Sequence, residues 1–152
     1  MARNETIIEI ASDFLRRLGY PAEVSIEEDK DRLRVAITSS EDVGMLIGKN
    51  GETLRALQHI LLLVISKKEG LYFSPGSFMF DVNDYQRERE NYLIALAKNT
   101  AFEVRDTHRS KELTPMPPAE RRIIHLTLSG ERGVETESVG ERSHRRVVVR
   151  PV

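Results

Sequence analysis

Ile47-Gly48-Lys49-Asn50-Gly51-Glu52-Thr53-Leu54 is a glycine-bracketed loop set between two apolar stretches. Asp42 to Ile47 before it is short and mostly apolar. Thr53 to Lys67 after it carries Leu54, Leu57, Ile60, Leu61 and Val64 at helical spacing. Two glycines separated by two polar residues let a backbone pass close to another group, where a side chain at either glycine would stand in the way. Gly51 sits just before a helix N-terminus, whose unpaired N–H groups favour an anion. Lys49 adds a mobile cation at the tip. The combination reads as a phosphate-contacting clamp, although a helix C-cap followed by a turn gives the same letters.

Composition narrows the alternatives. The 152 residues are 39% hydrophobic and 31% charged, enough for one domain or two small ones with modest cores. With no cysteine, a disulfide framework, a thiolate metal site and a cysteine nucleophile are excluded. No apolar run approaches a membrane span, and Met1 to Thr6 lacks a signal-peptide pattern, so a cytoplasmic protein is expected. Net charge is −1, but residues 105–152 hold ten Lys/Arg against seven Asp/Glu while the rest of the chain is net acidic. A nucleic-acid surface, if present, is local and relies on a few placed contacts.

Around the loop, Glu5–Leu18 reads as an amphipathic helix with Ile7, Ile8, Ala11, Phe14, Leu15 and Leu18 on its apolar stripe, ended by Gly19. Residues 22–28 and 32–38 alternate as two strands of a hairpin with one wet face, turning at Asp29-Lys30-Asp31. Lys67-Lys68-Glu69-Gly70 closes the helix after the loop, and residues 78–82 form a third strand. With an apolar helix on each side, Ile-Gly-Lys-Asn-Gly-Glu-Thr-Leu closely resembles the KH signature. The order helix, strand, strand, helix, GxxG, helix, strand resembles the bacterial-style type II KH domain over about half the chain. That resemblance implies a grip on single-stranded nucleic acid backbone, carried here by Ile47, Gly48, Lys49, Asn50, Gly51 and Arg55.

Asn83-Asp84-Tyr85 marks a boundary, giving domains at 1–83 and 84–152. Gln86–Arg109 reads as a long helix with Tyr92, Leu93, Leu96, Ala97 and Val104 on its apolar side, and Arg87-Glu88-Arg89-Glu90 as a solvated face. Leu113–Pro118 is a proline-stiffened connection. A further helix starts at Pro118, followed by strands at 134–138 and 145–150 with a turn at Gly140–Ser143. Arg121 and His125 are four residues apart and share a helical face. Arg offers a planar fork to phosphate oxygens, and His a ring that donates or stacks. His144, Arg145 and Arg146 could join them. Alternatively His125 packs its helix while Arg121 pairs with Glu135 or Glu137.

Pro-Met-Pro-Pro-Ala-Glu-Arg-Arg-Ile-Ile-His, followed by Arg-Arg-Val-Val-Val-Arg-Pro, resembles the Arg-x-x-x-His or R-three-H domain, with Pro117-Pro118-Ala119 departing from the commoner Asn-Pro-Tyr. A KH domain running into that module is the signature of the Jag (SpoIIIJ-associated) family of bacterial RNA-binding proteins. The resemblance implies an α+β fold and a non-catalytic binder of single-stranded RNA, or of single-stranded DNA by the same grip. It adds Arg121, Arg122, His125, Arg145 and Arg146 as RNA contacts and points to bacterial RNA regulation linked to cell envelope or shape. It also suggests a small single-KH protein, or self-association, as partner, and an adaptor that uses the KH fold for pairing is the alternative. No enzyme, metal or cofactor is expected: His59, His108, His125 and His144 are dispersed, and no P-loop or nucleophile elbow appears.

Overall fold

The computed structural model describes residues 2–29, 31–74 and 76–152. Lys30, in the expected polar turn, lies outside the described residues. The chain forms an α+β fold in two compact units, Met1–Arg87 and Glu88–Val152.

The first unit runs α1 (Ala2–Arg17), β1 (Glu23–Asp29), β2 (Arg32–Thr38), α2 (Gly44–Ile47), a single 3-10 turn at Lys49–Gly51, α3 (Glu52–Glu69) and β3 (Phe78–Val82). β2 is central, antiparallel to β1 and parallel to β3. Register pairs Val35 with Phe80 and Ile37 with Val82, so these four side chains share one face. That face packs on Ile7, Ala11 and Leu15 of α1 and on Leu54, Leu61 and Ile65 of α3. The apolar stripes are narrower than the sequence suggests. Leu18 and Ile60 are exposed, and Ile10 and Ile65 take core places instead. Leu18 lies past the last turn of α1, where the chain turns at Gly19 with φ +84°.

The hairpin does not keep a wet face at β2. Arg34, on the side opposite the core, is 3% exposed, because Asp81 of β3 and the start of α4 (Tyr85–Thr107) cover it. Arg34 Nη2 donates to Asp81 Oδ2 at 2.9 Å and Nε to the same oxygen at 3.2 Å, while Nη1 reaches Glu27 at 2.8 Å and Nη2 also bonds Asp84. Burial alone would lower the Arg34 pKa, but these carboxylates more than offset it and hold the guanidinium above its ordinary value. Fully buried Asp81 accepts in turn from the backbone N–H groups of Gln86 and Arg87, so it caps α4. Arg87, expected on a solvated face, is thereby ordered and pairs with Glu27 at 2.6 Å.

The outer edge of β3 is closed by two side-chain amides. Gln58 Oε1 accepts from Phe80 N at 3.0 Å, and Gln86 Nε2 donates to Phe80 O at 2.7 Å. An edge strand that would otherwise present unpaired backbone is satisfied this way.

The second unit holds most of α4, β4 (Lys111–Glu112), α5 (Pro118–Leu128), β5 (Val134–Val139), a 3-10 turn at Arg142–His144 and β6 (Arg146–Pro151). Its sheet runs β4-β6-β5, antiparallel throughout. Leu93, Ala97, Ala101 and Val104 of α4 meet Ile124 and Leu128 of α5 and Val147 and Val149 of β6. Small residues at 97 and 101 give α4 a flat inner face for that sheet, and Tyr92, expected there, is exposed under the Arg89 guanidinium. Leu113 and Met116 are buried, so the proline-rich stretch is part of the core rather than a bare connection. Arg89 likewise leaves the expected solvated face: it forms a bidentate pair, at 2.9 and 3.1 Å, with Glu120, which is 5% exposed.

Replacing Asp81 by Ala strips α4 of its cap and leaves the Arg34 charge buried without its main partner. Urea unfolding is expected to show a loss of about 3 kcal/mol, with Asp81→Asn costing less because the amide oxygen still accepts from the helix N–H groups.

Candidate nucleic-acid interface

The glycine loop is built from backbone conformations that few residues tolerate. Gly48 has φ 72° and ψ −178°, a region essentially reserved for glycine. A Cβ there would meet Thr53 Oγ1 at 2.2 Å and Thr53 Cβ at 2.8 Å. Gly51 (φ +74°) is buried, and its Cβ would meet the Tyr85 ring at 2.9 Å. Both glycines are therefore required by the protein's own packing. Asn50 between them is left-handed at φ 53°, ψ 29°, a conformation asparagine accepts readily.

The loop is braced from inside. Gly48 N–H donates to Gly44 O at 2.8 Å, Gly51 N–H to Gly48 O at 3.3 Å, and Arg55 Nη1 to Asn50 O at 2.9 Å. Ile47 is half-buried against the first core, so it anchors the loop. The side chains of Lys49 and Asn50 are exposed, with no hydrogen-bond partner among the described residues. No side chain caps the start of α3. What faces outward is thus a cation and an amide on a braced turn at the start of a helix, a combination that suits an anion.

In the second unit, Arg121 and His125 do share one face of α5, and that face is turned to β5. Arg121 Nε donates to Met116 O at 3.3 Å and Nη1 to Ser138 Oγ at 3.0 Å. His125 Nδ1 lies 2.7 Å from Thr136 Oγ1 and Nε2 lies 2.8 Å from Ser138 Oγ. The expected alternative of a pair with Glu135 or Glu137 does not form. Glu137 bonds Arg150 at 2.5 Å instead. Burial first, and the Arg121 charge second, hold the His125 pKa below its ordinary value of 6.5.

The remaining arginines are dispersed. Arg122 is exposed one position on from Arg121, about 100° around the helix. Arg145 is exposed and precedes β6, with Nη1 on Gly140 O at 2.8 Å. Arg146 pairs in register with Val139, whereas Ser138 pairs with Val147, so strand alternation sends Arg146 to the face away from Ser138. There it binds Glu112 at 2.7 Å, and this bond holds the Glu112 carboxyl below its usual range. His144 is exposed on the 3-10 turn. Thr53, Tyr85, Thr136 and Ser138 escaped the reading of the sequence. Thr136 and Ser138 carry the signal of two hydroxyls at alternate strand positions, but only the packing of α5 shows what they hold.

Among the described residues no group of His, Asp and Glu could hold a metal ion, and no helix is long and apolar enough to cross a membrane.

Comparison with known proteins matches each unit separately. Residues 8–73 match the KhpA/KhpB KH domain, and residues 91–151 match the R3H domain. The RNA-binding protein KhpB of Clostridium symbiosum is 36% identical over 152 residues, covering 97% of this chain and 67% of that protein. KhpB of Bacillus subtilis (strain 168) is 37% identical over 130 residues, covering 84% and 61%. KhpB of Lactiplantibacillus plantarum is 34% identical, covering 97% of this chain and 46% of its own length. The chain thus spans from about half to two thirds of the length of these relatives.

The lowered His125 pKa has a consequence for stability. Unfolded His125 takes up a proton near its ordinary value, and the folded residue resists it, so its contribution is full above about pH 6.5 and declines as pH falls toward and through the folded value. Urea midpoints measured downward from neutral pH should fall in that window, above the range of the carboxylates, and His125→Gln should flatten the decline.

Proposed function

The chain belongs to the KhpB (Jag) family of KH plus R-three-H proteins, and from that premise we propose that it is a non-catalytic, cytoplasmic binder of single-stranded RNA. The observation that carries this reading is the braced loop at Gly48–Gly51, which presents Lys49 and Asn50 outward with no hydrogen-bond partner among the described residues. A KH loop of this kind clamps a backbone of about four nucleotides. The stiffness matters, because a loop already held in its bound shape loses little conformational freedom on binding. Arg55 supports the tip, and Gly48, Lys49, Asn50 and Gly51 form the contact. In the second unit Arg121, Arg122 and Arg145 supply further phosphate contacts, with Arg146 held back by Glu112. The near-neutral total charge agrees with a few placed contacts. The family resemblance supports bacterial RNA regulation linked to cell envelope or shape as the biological setting of this activity.

Changing Lys49 and Asn50 both to Asp sets two negative charges against phosphate while leaving the glycines and helices intact. Binding of an unstructured RNA is expected to weaken by about 2 kcal/mol or more with an unchanged melting temperature, read by filter binding and thermal denaturation. The unmodified chain should bind a DNA duplex far more weakly than that RNA. Equal affinity for both, or full binding by the double variant, would remove the loop from the interface.

A second reading, pairing with a single-KH protein or with a second copy, is favoured by α3. Ile60 and Leu63 are exposed, at 46% and 56%, and three residues apart on one side of that helix. Light scattering on the chain alone and with a single-KH protein should show association that Ile60→Glu with Leu63→Glu abolishes. A monomer under both conditions would argue against pairing through α3.

A further inference from the structure

Tyr85 lies in neither matched module: the KH match ends at residue 73 and the R3H match begins at residue 91. In space it belongs to the glycine loop, within the first unit. Its ring atom Cε1 lies 2.9 Å from the place a Cβ would take on Gly51, and its hydroxyl oxygen 3.5 Å from the same point. Arg55 Nη1, which donates to Asn50 O, is 3.2 Å from that point. Two polar side chains, one neutral and one cationic, therefore flank the second glycine at the base of a loop whose tip carries Lys49.

The residues on either side of Tyr85 are tied down. Asn83 and Asp84, left-handed at φ 50° and 60°, turn the chain from β3 into α4. The Asn83 side chain accepts from Ser39 N and donates to Ser39 O. Gln86 N–H donates to Asp81, and the Gln86 side chain donates to Phe80 O and Gln58 Oε1. The Tyr85 ring packs against the first core. Its hydroxyl has no hydrogen-bond partner among the described residues. No buried side-chain oxygen or nitrogen among them is left without one, so this hydroxyl reaches solvent. A packed ring thus holds a wet group that both donates and accepts, and the fold of the described residues makes no use of it.

On the reading of the chain as an RNA binder, we propose that Tyr85 is a further RNA contact. Its ring packs on Gly51, and its hydroxyl, beside the Arg55 guanidinium, hydrogen-bonds a backbone oxygen of the strand held at Gly48–Gly51. A phosphate oxygen and a ribose 2′-hydroxyl both offer it an acceptor. The clamp then grips at two points, by charge at the tip and by a neutral hydrogen bond at the base.

The test uses the full chain with oligouridine and with oligodeoxyuridine of the same length. Tyr85→Phe keeps the ring and removes only the hydroxyl, so the melting temperature should not change. Its affinity for oligouridine should fall by about 3- to 10-fold, the scale of one hydrogen bond. The slope of affinity against salt should stay as it is, because a neutral group releases no counterions. A loss on both oligonucleotides assigns the bond to a phosphate oxygen, and a loss on the RNA alone to the ribose 2′-hydroxyl. A loss accompanied by a lower melting temperature or a changed salt slope is structural and overturns the contact. So does full binding by Tyr85→Phe, and weak binding by the Lys49→Asp, Asn50→Asp double variant would then leave the loop itself as the clamp. Full binding by that double variant removes the loop and Tyr85 together.

Discussion

A buried arginine with a buried aspartate is the constraint on which the first unit depends. Arg34 and Asp81 face each other across parallel strands, one 3% exposed and the other fully buried. Charges removed from water are tolerable only when each finds enough partners. Here Arg34 reaches Asp81, Asp84 and Glu27, while Asp81 also accepts two backbone N–H groups at the start of α4. The pair therefore fixes strand register and helix start in one step. It contributes little net stability by itself, but the arrangement tolerates no half measure, because either partner alone would be a stranded charge.

From that frame the glycine loop inherits its shape. The opposite face of the same strands packs Val35, Ile37, Phe80 and Val82 against α1 and α3, and α3 brings Thr53 under Gly48. Tyr85, placed by the capped start of α4, closes over Gly51. The two glycines are thus needed first to let the loop close on its own protein. Only as a result do Lys49 and Asn50 stand outward on a braced turn. The outward display of these two side chains is a by-product of crowding at the base.

The second unit solves a different problem, that of holding a cation and an imidazole side by side on one helix face. Two strand hydroxyls take up the hydrogen bonds, and burial, with the Arg121 charge, holds the His125 pKa below its ordinary value. A carboxylate in place of Ser138 would have neutralised Arg121 and drawn a proton onto His125. A hydroxyl orients both without cancelling the positive charge, which remains available to an anion.

The α+β class, the order of the main helices and strands in both halves apart from the short β4, the loop and the placing of Arg121 with His125 on one helix face were legible in the sequence, because they depend on short-range periodicity and on residues with strong local preferences. Glycine at 48 and 51, proline at 118 and alternation in 134–138 all act within a few residues of themselves. What the sequence could not show is which polar groups are buried and by whom. Arg34 looked solvated because its strand alternates, yet residues near 50 positions later in the chain cover it. Arg89 reads as part of a charged run until Glu120 meets it, and Arg146 looks available until Glu112 does. The same holds for Ser138, an unremarked strand residue until α5 lays Arg121 and His125 across it. Local preference is a property of neighbours in the chain, whereas the pairing of charges and hydroxyls depends on neighbours in space, and those are decided only when the sheets and helices have packed.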